Sequence, residues 1–283
     1  DVIWSEDDTI GTMADSIYYA GRTGNWTITG TTGGMAATAT VGVKAGAFVN
    51  LNISAPATAT TLAPFQLSVS LYDNDGNPYS GPVALTNTIK SIIPDTVNMV
   101  SGSWTGTVTI TRSPNKGMDM LTAAYNTVKD AATVTVFVNS EKGGVAVESE
   151  EGAAVEFIGT VITNVTVRIA TSTTLPKELP GIIKSTGVVY NIELTDAYGN
   201  QVGRTPGDFG SCTLQLPYPD MDGNGFVDGT SIREQELIIY QWVEGPLPVE
   251  GPLPVDGVWL PLKTTVLVTE NAAIAYVAHF STF

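Results

Sequence analysis

The chain has 283 residues, of which 43% are hydrophobic and only 14% are charged. Its net charge is −15, from 28 acidic and 13 basic residues, which argues against nucleic acid as a partner because phosphate binding needs clustered Lys and Arg. No apolar run reaches the roughly 18 residues of a membrane-spanning helix, so no membrane span is expected. The acidic excess favours divalent cations as counterions or, equally, solubility alone.

Residues 1–43 carry short strand signals at 17–20, 26–29 and 36–43, each with a period of two. The segment is too short to bury its own sheet, because isolated hairpins are only marginally stable in water. We therefore predict that residues 1–43 are an incomplete β segment whose strands are exchanged with another chain.

Residues 44–140 give the clearest strand pattern. Apolar and polar residues alternate at 65–71, 104–111 and 132–138, as expected for strands that rest one face on a core. Turns rich in Asp, Asn and Gly separate these strands at regular intervals. The pattern predicts an immunoglobulin-like antiparallel β-sandwich.

Residues 141–154 contain the Gly143-Gly144 pair and part of an acidic group, Glu148, Glu150, Glu151 and Glu156. We predict a solvated acidic linker here, with weak cation binding by the clustered carboxylates as the alternative.

Residues 155–283 are predicted to form a C-terminal β-sandwich, with strands at 163–169, 188–194, 237–242, 264–268 and 272–280. A six-residue Pro-rich repeat at 244–255 predicts an extended hairpin loop, with a recognition surface as the alternative. Cys212 is the only cysteine. Its place in an alternating segment favours a small buried side chain over an intermolecular disulfide.

Two short sequence patterns each occur twice in the chain. Residues 69–77 and 192–200 each run a strand into an Asp-x-x-Gly-Asn turn, and residues 24–27 and 102–105 share Gly-x-Trp-Thr. The sequence therefore predicts an all-β fold of tandem immunoglobulin-like antiparallel β-sandwiches.

The Asp220 loop, residues 220–229, has the order of oxygen ligands that a calcium loop uses. The side chains of Asp220, Asp222, Asn224 and Asp228 stand at the first, third, fifth and ninth places, and the Phe226 carbonyl stands at the seventh. Gly225 provides the sharp turn at the sixth place.

The twelfth place of this pattern departs from it, since Ser231 stands where calcium loops carry a bidentate Glu. Either Glu234 or Glu236 would have to supply the closing carboxylate. We predict calcium as the ligand of this loop, and the alternative is an Asp/Asn/Gly-rich turn without metal. At residues 73–77, a plain hairpin turn is favoured over a second calcium site.

Residues 1–140 resemble bacterial immunoglobulin-like (Big-type) domains of exported surface proteins, with the tail of one domain followed by a complete copy. The matching pieces are Ala-Gly and Trp-Thr-Ile-Thr within 20–29, Pro-Phe-Gln-Leu at 64–67, Asp-Gly-Asn at 75–77 and Trp-Thr-Gly at 104–106.

Residues 187–283 resemble a C-terminal calcium-loop sandwich module of secreted bacterial proteins. The matching pieces are Leu-Pro-Tyr-Pro-Asp at 216–220, the Asp220 loop and His-Phe-Ser-Thr-Phe at 279–283. The resemblance implies an extracellular, non-catalytic role, architectural or adhesive, and it names no ligand. Glycosylation sequons at Asn25, Asn52 and Asn164 fit an exported protein.

The residue types that support catalysis are scarce. His279 is the sole histidine, which leaves no multi-histidine metal site, and no serine stands in a Gly-x-Ser-x-Gly elbow. We expect no enzymatic activity and interpret His279 as a hydrogen-bonded framework residue. Trp26 and Trp104 are predicted core residues, whereas Trp242 and Trp259 are the better candidates for stacking on sugars.

The leading hypothesis is an extracellular structural subunit of a surface filament or layer. It self-associates by strand complementation through residues 1–43 and is stiffened by calcium, because an incomplete sheet exposes an unpaired edge. The alternative is a calcium-dependent adhesin or carbohydrate-binding module that recognises glycans or a cell surface. A third possibility is a spacer, which would show neither polymers nor ligand binding.

Overall fold

The computed structural model describes residues 1–150, 152–158, 164–179, 183–203, 210–243 and 257–283. Every regular element in these ranges is a strand except for four short 3-10 turns, at Asn115–Gly117, Ser140–Lys142, Glu234–Glu236 and Val268–Glu270. The predicted all-β class is thus confirmed. The Pro-rich repeat at 244–255 lies outside the described residues. In the ranges given, no helix has the length and apolarity needed to cross a membrane.

The N-terminal unit, residues 1–43, contains two small antiparallel sheets. Its strands are β1 (Ile3–Glu6), β2 (Thr12–Ala14), β3 (Ile17–Tyr19), β4 (Gly24–Thr32) and β5 (Met35–Val43). One sheet has the order β1-β4-β5, and β2 pairs with β3. Trp26 lies opposite Val41 and Ile28 lies opposite Ala39. Since residues that face each other across paired strands point to the same side, these four define an apolar face.

The middle sandwich, residues 44–140, has two sheets with strand orders β10-β12-β8-β6 and β11-β9-β14-β15-β7. Its strands are β6 (Phe48–Ser54), β7 (Thr58–Thr60), β8 (Phe65–Asp73), β9 (Gly81–Thr86), β10 (Ile92–Ile93), β11 (Thr96–Met99), β12 (Ser103–Ile110), β13 (Arg112–Ser113), β14 (Met118–Tyr125) and β15 (Val128–Phe137). The alternation predicted at 65–71 is confirmed, because Leu67, Val69 and Leu71 are buried in the core between the sheets.

The C-terminal sandwich has a six-stranded sheet of order β13-β16-β17-β21-β25-β24, a three-stranded sheet β18-β19-β20 and the pair β22-β23. Its strands are β16 (Val145–Val147), β17 (Ala154–Ile158), β18 (Thr166–Ser172), β19 (Val189–Thr195), β20 (Gln201–Val202), β21 (Ser211–Pro217), β22 (Tyr240–Val243), β23 (Val258–Pro261), β24 (Thr264–Leu267) and β25 (Ala272–Val277). Residues 281–283 join β19 to β22, since Thr282 bridges both Asn191 and Trp242.

Residues 141–154, predicted to be a solvated linker, are instead largely built into the C-terminal sandwich. β16 pairs with β17 and, in parallel, with β13 of the middle sandwich. Ala146, Val147 and Ala153 are buried. The linker prediction was wrong because it weighted the acidic residues, whereas the apolar Val145–Val147 segment adds a strand to the sheet.

The joint between the two sandwiches is closed by hydrogen bonds as well as by the shared sheet. The Val138 N–H donates to the Val165 carbonyl at 2.7 Å. The Asn115 side chain donates from Nδ2 to the Ile169 carbonyl at 2.8 Å and accepts the Ile169 N–H at 2.9 Å. The sandwiches are therefore coupled by backbone pairing.

Candidate functional site

The Asp220 loop lies in the connection between β21 and β22. Its start is anchored to the turn before β25, where Asn271 Nδ2 donates to the Asp220 carbonyl at 2.9 Å and the Asn271 carbonyl accepts the Tyr218 N–H at 2.9 Å. Gly223 and Gly225 have φ of +61° and +82°, a region that favours glycine. These turns fold the loop back on itself.

The structure brings three of the predicted ligands together. One carboxylate oxygen from each of Asp220, Asp222 and Asp228 lies within 4.8 Å of the others. Backbone donors hold two of these side chains: Gly223 N–H donates to Asp220 Oδ1 and Met221 N–H donates to Asp228 Oδ2, each at 2.9 Å. The loop therefore presents several carboxylates to one small volume.

Asn224 and Phe226, the other two predicted ligands, make contacts within the loop and with the residues that follow it. Asn224 Nδ2 donates to Asp222 Oδ2 at 2.7 Å, and its Oδ1 accepts the Phe226 N–H at 2.9 Å. Phe226 forms a β-bridge with Arg233, whose guanidinium lies 5.8 Å from the centre of the phenyl ring. These contacts orient Asp222 and connect the loop to the 3-10 turn that follows.

Glu234 lies beside the three aspartates, where its side chain contacts Asp220, and the sequence pattern left open whether Glu234 or Glu236 closes the loop. Its N–H donates to the Gly225 carbonyl at 3.2 Å, which fixes its backbone to the loop. Its side chain is only 1% exposed, whereas Glu236 is exposed. The Glu234 Oε1 atom is buried, and no described residue donates a hydrogen bond to it.

Negative charge is concentrated around Glu234. The pKa of its carboxyl is raised by a hydrogen bond to Asp220, by burial, and by the charges of Asp220, Asp222 and Asp228. The hydroxyl of Tyr218 is buried nearby and has no hydrogen-bond partner among the described residues, and burial together with the charges of Glu234 and Asp220 raises its pKa. In the described ranges, none of the three ion pairs involves this loop.

In the turn at 73–77, the weaker calcium candidate, the Asp73 carboxylate already accepts hydrogen bonds from protein donors. Asp73 Oδ1 accepts the N–H groups of Asp75 and Asn77, and its Oδ2 accepts the Gly46 N–H and Asn77 Nδ2. Both carboxylate oxygens are thus engaged. The arrangement is that of a side-chain-stabilised hairpin turn.

The aromatic and histidine candidates belong to the framework. Trp242 and Trp259 pack against each other with ring centres 5.4 Å apart and are 4% and 8% exposed. They were the better candidates for a surface role in the sequence, but both are buried and lie opposite each other in the β22-β23 pair. His279 Nδ1 lies 3.0 Å from Gln241 Nε2, as expected of a hydrogen-bonded framework residue.

The second candidate site is the open edge of the N-terminal sheet. Among the described strands, β5 pairs with β4 alone, so its other edge is unpaired within that part of the chain. Its apolar residues are accessible: Met35 is 72% exposed and Val41 is 36% exposed. β1 is the opposite edge, where Ile3 and Trp4 are also exposed. Long hydrophobic edges of this kind are templates for pairing with another chain.

No family model and no curated protein matches the chain. Among solved structures, domains 4 and 5 of the S-layer protein SbsC match with a TM-score of 0.30 and 16% identity, over 48% of this chain and 76% of that one. Domains 1–6 of surface layer protein SbsC match with a TM-score of 0.29 and 13% identity, over 92% of this chain and 28% of that one.

A Salmonella alpha-2-macroglobulin reacted with methylamine matches with a TM-score of 0.22 and 10% identity, over 99% of this chain and 27% of that one. The chain thus spans less than a third of the two longer structures. Likeness at this level assigns neither a family nor a function.

Proposed function

We propose that this chain is a non-catalytic, extracellular structural subunit that assembles with further copies of itself into a filament or layer through the N-terminal sheet. The observation that carries the proposal is the exposed edge of β5. In the middle sandwich, the strand of nearly the same sequence is paired on both edges and covered on its inner face.

The two strands are copies of one another. Residues 36–43 and 131–138 differ only at Ala39, where the second copy has Val134, and at Gly42, where it has Phe137. In the second copy, β7 pairs in parallel with the outer edge of β15, and Val134 and Val136 are fully buried by the opposing sheet. In the N-terminal unit, the equivalents Ala39 and Val41 are exposed.

A second copy of this chain is the partner that fits this edge. Residues 35–43 contain no charged residue, so two copies can meet there although each carries a net charge of −15 and like charges repel elsewhere. Edge strands that avoid association usually carry Lys, Pro or a bulge. β5 has neither Lys nor Pro, and its register with β4 is unbroken.

The N-terminal sheet ends in two different strands, β1 and β5, and which of them pair between copies determines whether the assembly is open or closed. Pairing of β5 in one copy with β1 in the next joins two different surfaces, and such contacts continue into open filaments when the rotation does not close. Pairing of β5 with β5 would instead give a closed dimer. We propose the β5-to-β1 arrangement because β1 also presents exposed apolar residues, Ile3 and Trp4.

Two edge variants test this arrangement. Val41→Lys charges the β5 edge and Ile3→Lys charges the β1 edge, while Thr265→Lys adds the same charge to an exposed position of β24. Sedimentation velocity and negative-stain images of residues 1–283 are expected to show polymers for the native chain and for Thr265→Lys. Each edge variant alone should remain monomeric, and their mixture should form dimers.

The proposal fails if the native chain stays monomeric at high concentration or if both edge variants polymerise. If Ile3→Lys alone still forms dimers, the contact is β5 with β5 and the filament is wrong. The burial of Trp242 and Trp259 does not favour the alternative of a carbohydrate-binding module, because buried rings offer no platform for sugars.

A further inference from the structure

We propose that the Asp220 loop binds one calcium ion, with Asp220, Asp222, Asp228 and the buried Glu234 as its carboxylate ligands. This site is independent of strand pairing at the N-terminal sheet. Its failure and the failure of the assembly proposal are therefore separate results.

The acidic cluster alone would not carry this inference, because clusters of surface carboxylates are commonly solvated. Glu234 is the second observation. It is 1% exposed, its Oε1 has no hydrogen-bond donor among the described residues, and its carboxyl contacts Asp220. A buried carboxylate oxygen without a donor, next to a second carboxylate, carries a large desolvation cost, and a metal ion at this position would offset it.

In the part of the chain that the structure describes, two basic side chains near the loop have other partners. Arg233 is the adjacent basic residue, but its guanidinium lies over the Phe226 ring. Lys184 directs its Nζ to the Ser231 hydroxyl at 2.9 Å. Neither of these two side chains neutralises the carboxylates of the loop, and a bound cation would do so.

Calcium is the ion whose chemistry fits this set of donors. The cluster consists of carboxylates, which are hard oxygen ligands, and calcium takes roughly six to eight oxygens in irregular arrangements. Magnesium demands a near-octahedral site and keeps several waters, and it is seldom held in a cage made by protein alone. Zinc prefers imidazole and thiolate, and neither is present in the cluster.

Glu234 takes the place of the Glu that calcium loops carry at their twelfth position. Its position along the chain differs, because Glu234 lies three residues beyond the twelfth place. Between the loop and the 3-10 turn at Glu234–Glu236, a β-bridge joins Phe226 to Arg233. Binding would tie the loop to this turn and so fix the connection that leads from β21 to β22.

Calorimetric titration of the calcium-free chain with CaCl2 tests the site. We expect one calcium per chain, at least about tenfold weaker binding for Glu234→Gln, and similar weakening for Asp222→Asn. Glu236→Gln is the matched control because this residue is exposed in the same 3-10 turn. It should bind like the native chain.

Asp222 is exposed, so the test remains decisive if Glu234→Gln fails to fold. The inference is overturned if the native chain releases no heat with calcium and shows no calcium-dependent thermal shift. It is also overturned if a folded Glu234→Gln chain binds calcium as tightly as the native one.

Discussion

Asn77 donates hydrogen bonds to both carboxylate oxygens of Asp73. Its backbone N lies 2.7 Å from Asp73 Oδ1, and its Nδ2 lies 2.9 Å from Asp73 Oδ2. Asp196 and Asn200 repeat this pair at 2.8 and 3.0 Å in the C-terminal sandwich. Burial alone would raise the pKa of Asp73, but these hydrogen bonds outweigh it and lower the pKa. The repeated sequence thus builds the same turn twice.

The two copies differ in burial, and this gives a matched comparison. Asn77 is buried and Asn200 is exposed. Because a hydrogen bond to a charged group contributes about 1.5–3 kcal/mol, we expect Asn77→Ala to lower the free energy of unfolding by about 2 kcal/mol. Asn200→Ala should cost less than half of that. Denaturant unfolding measures both, and equal effects would show that burial of the turn does not matter.

Asn77 also connects the N-terminal unit to the middle sandwich, since its Oδ1 accepts the Thr23 N–H at 2.8 Å. Hydrogen exchange of residues 1–43 should therefore become faster in Asn77→Ala. In Asn200→Ala it should be unchanged.

Acid is expected to loosen the N-terminal unit through Asp8. Burial of its carboxyl acts to raise its pKa, but donors from Tyr18, Gly21 and Ile10 lower it to about 2. The usual Asp pKa is about 3.9. The stabilisation is therefore complete above about pH 4 and is lost as the pH falls towards 2.

Hydrogen exchange of residues 1–43 between pH 5 and pH 2 measures this loss, after correction for the intrinsic rate. Asp8→Asn should abolish the pH dependence and leave the segment less protected at pH 5. Asp15→Asn is the control because Asp15 is exposed. A native-like pH profile in Asp8→Asn would show that another group is responsible.

Calcium should raise the thermal stability of the chain if the Asp220 loop binds it. A ligand at 100 times its dissociation constant stabilises the native state by about 2.7 kcal/mol, and chelation should reverse this. Scanning calorimetry with and without chelator measures the shift. Asp222→Asn should show little dependence on calcium, and Glu236→Gln should behave as the native chain does.

The joint between the sandwiches should depend on Asn115. Asn115→Ala removes both hydrogen bonds to Ile169, and each is expected to contribute about 1 kcal/mol. We expect the unfolding of the two sandwiches to separate into two calorimetric transitions. Lys116→Ala, a change at the exposed residue next to Asn115, should keep the native profile.

Cys212 should be unreactive in the native protein. It is fully buried, and burial raises the pKa of its thiol, so little nucleophilic thiolate forms near neutral pH. We expect a thiol-specific colorimetric reagent to react with the denatured chain alone. Rapid reaction of the native chain would mean that this part of the sandwich opens.

The sequence by itself determined the β class, the positions of the alternating strands and the two Asp-x-x-Gly-Asn turns. It also identified Asp220, Asp222 and Asp228 as a cluster. These features depend on neighbours along the chain, because side-chain alternation and turn chemistry are local.

Only the tertiary structure distinguished Glu234 from Glu236 and, within the described residues, showed which of two similar strands has an unpaired edge. Glu234 and Glu236 are equivalent in a linear pattern, but the 3-10 turn buries the first and exposes the second. Residues 36–43 and 131–138 are near copies, yet the opposing sheet and β7 cover the second alone. Burial and strand pairing depend on distant parts of the chain, so a local pattern does not contain them.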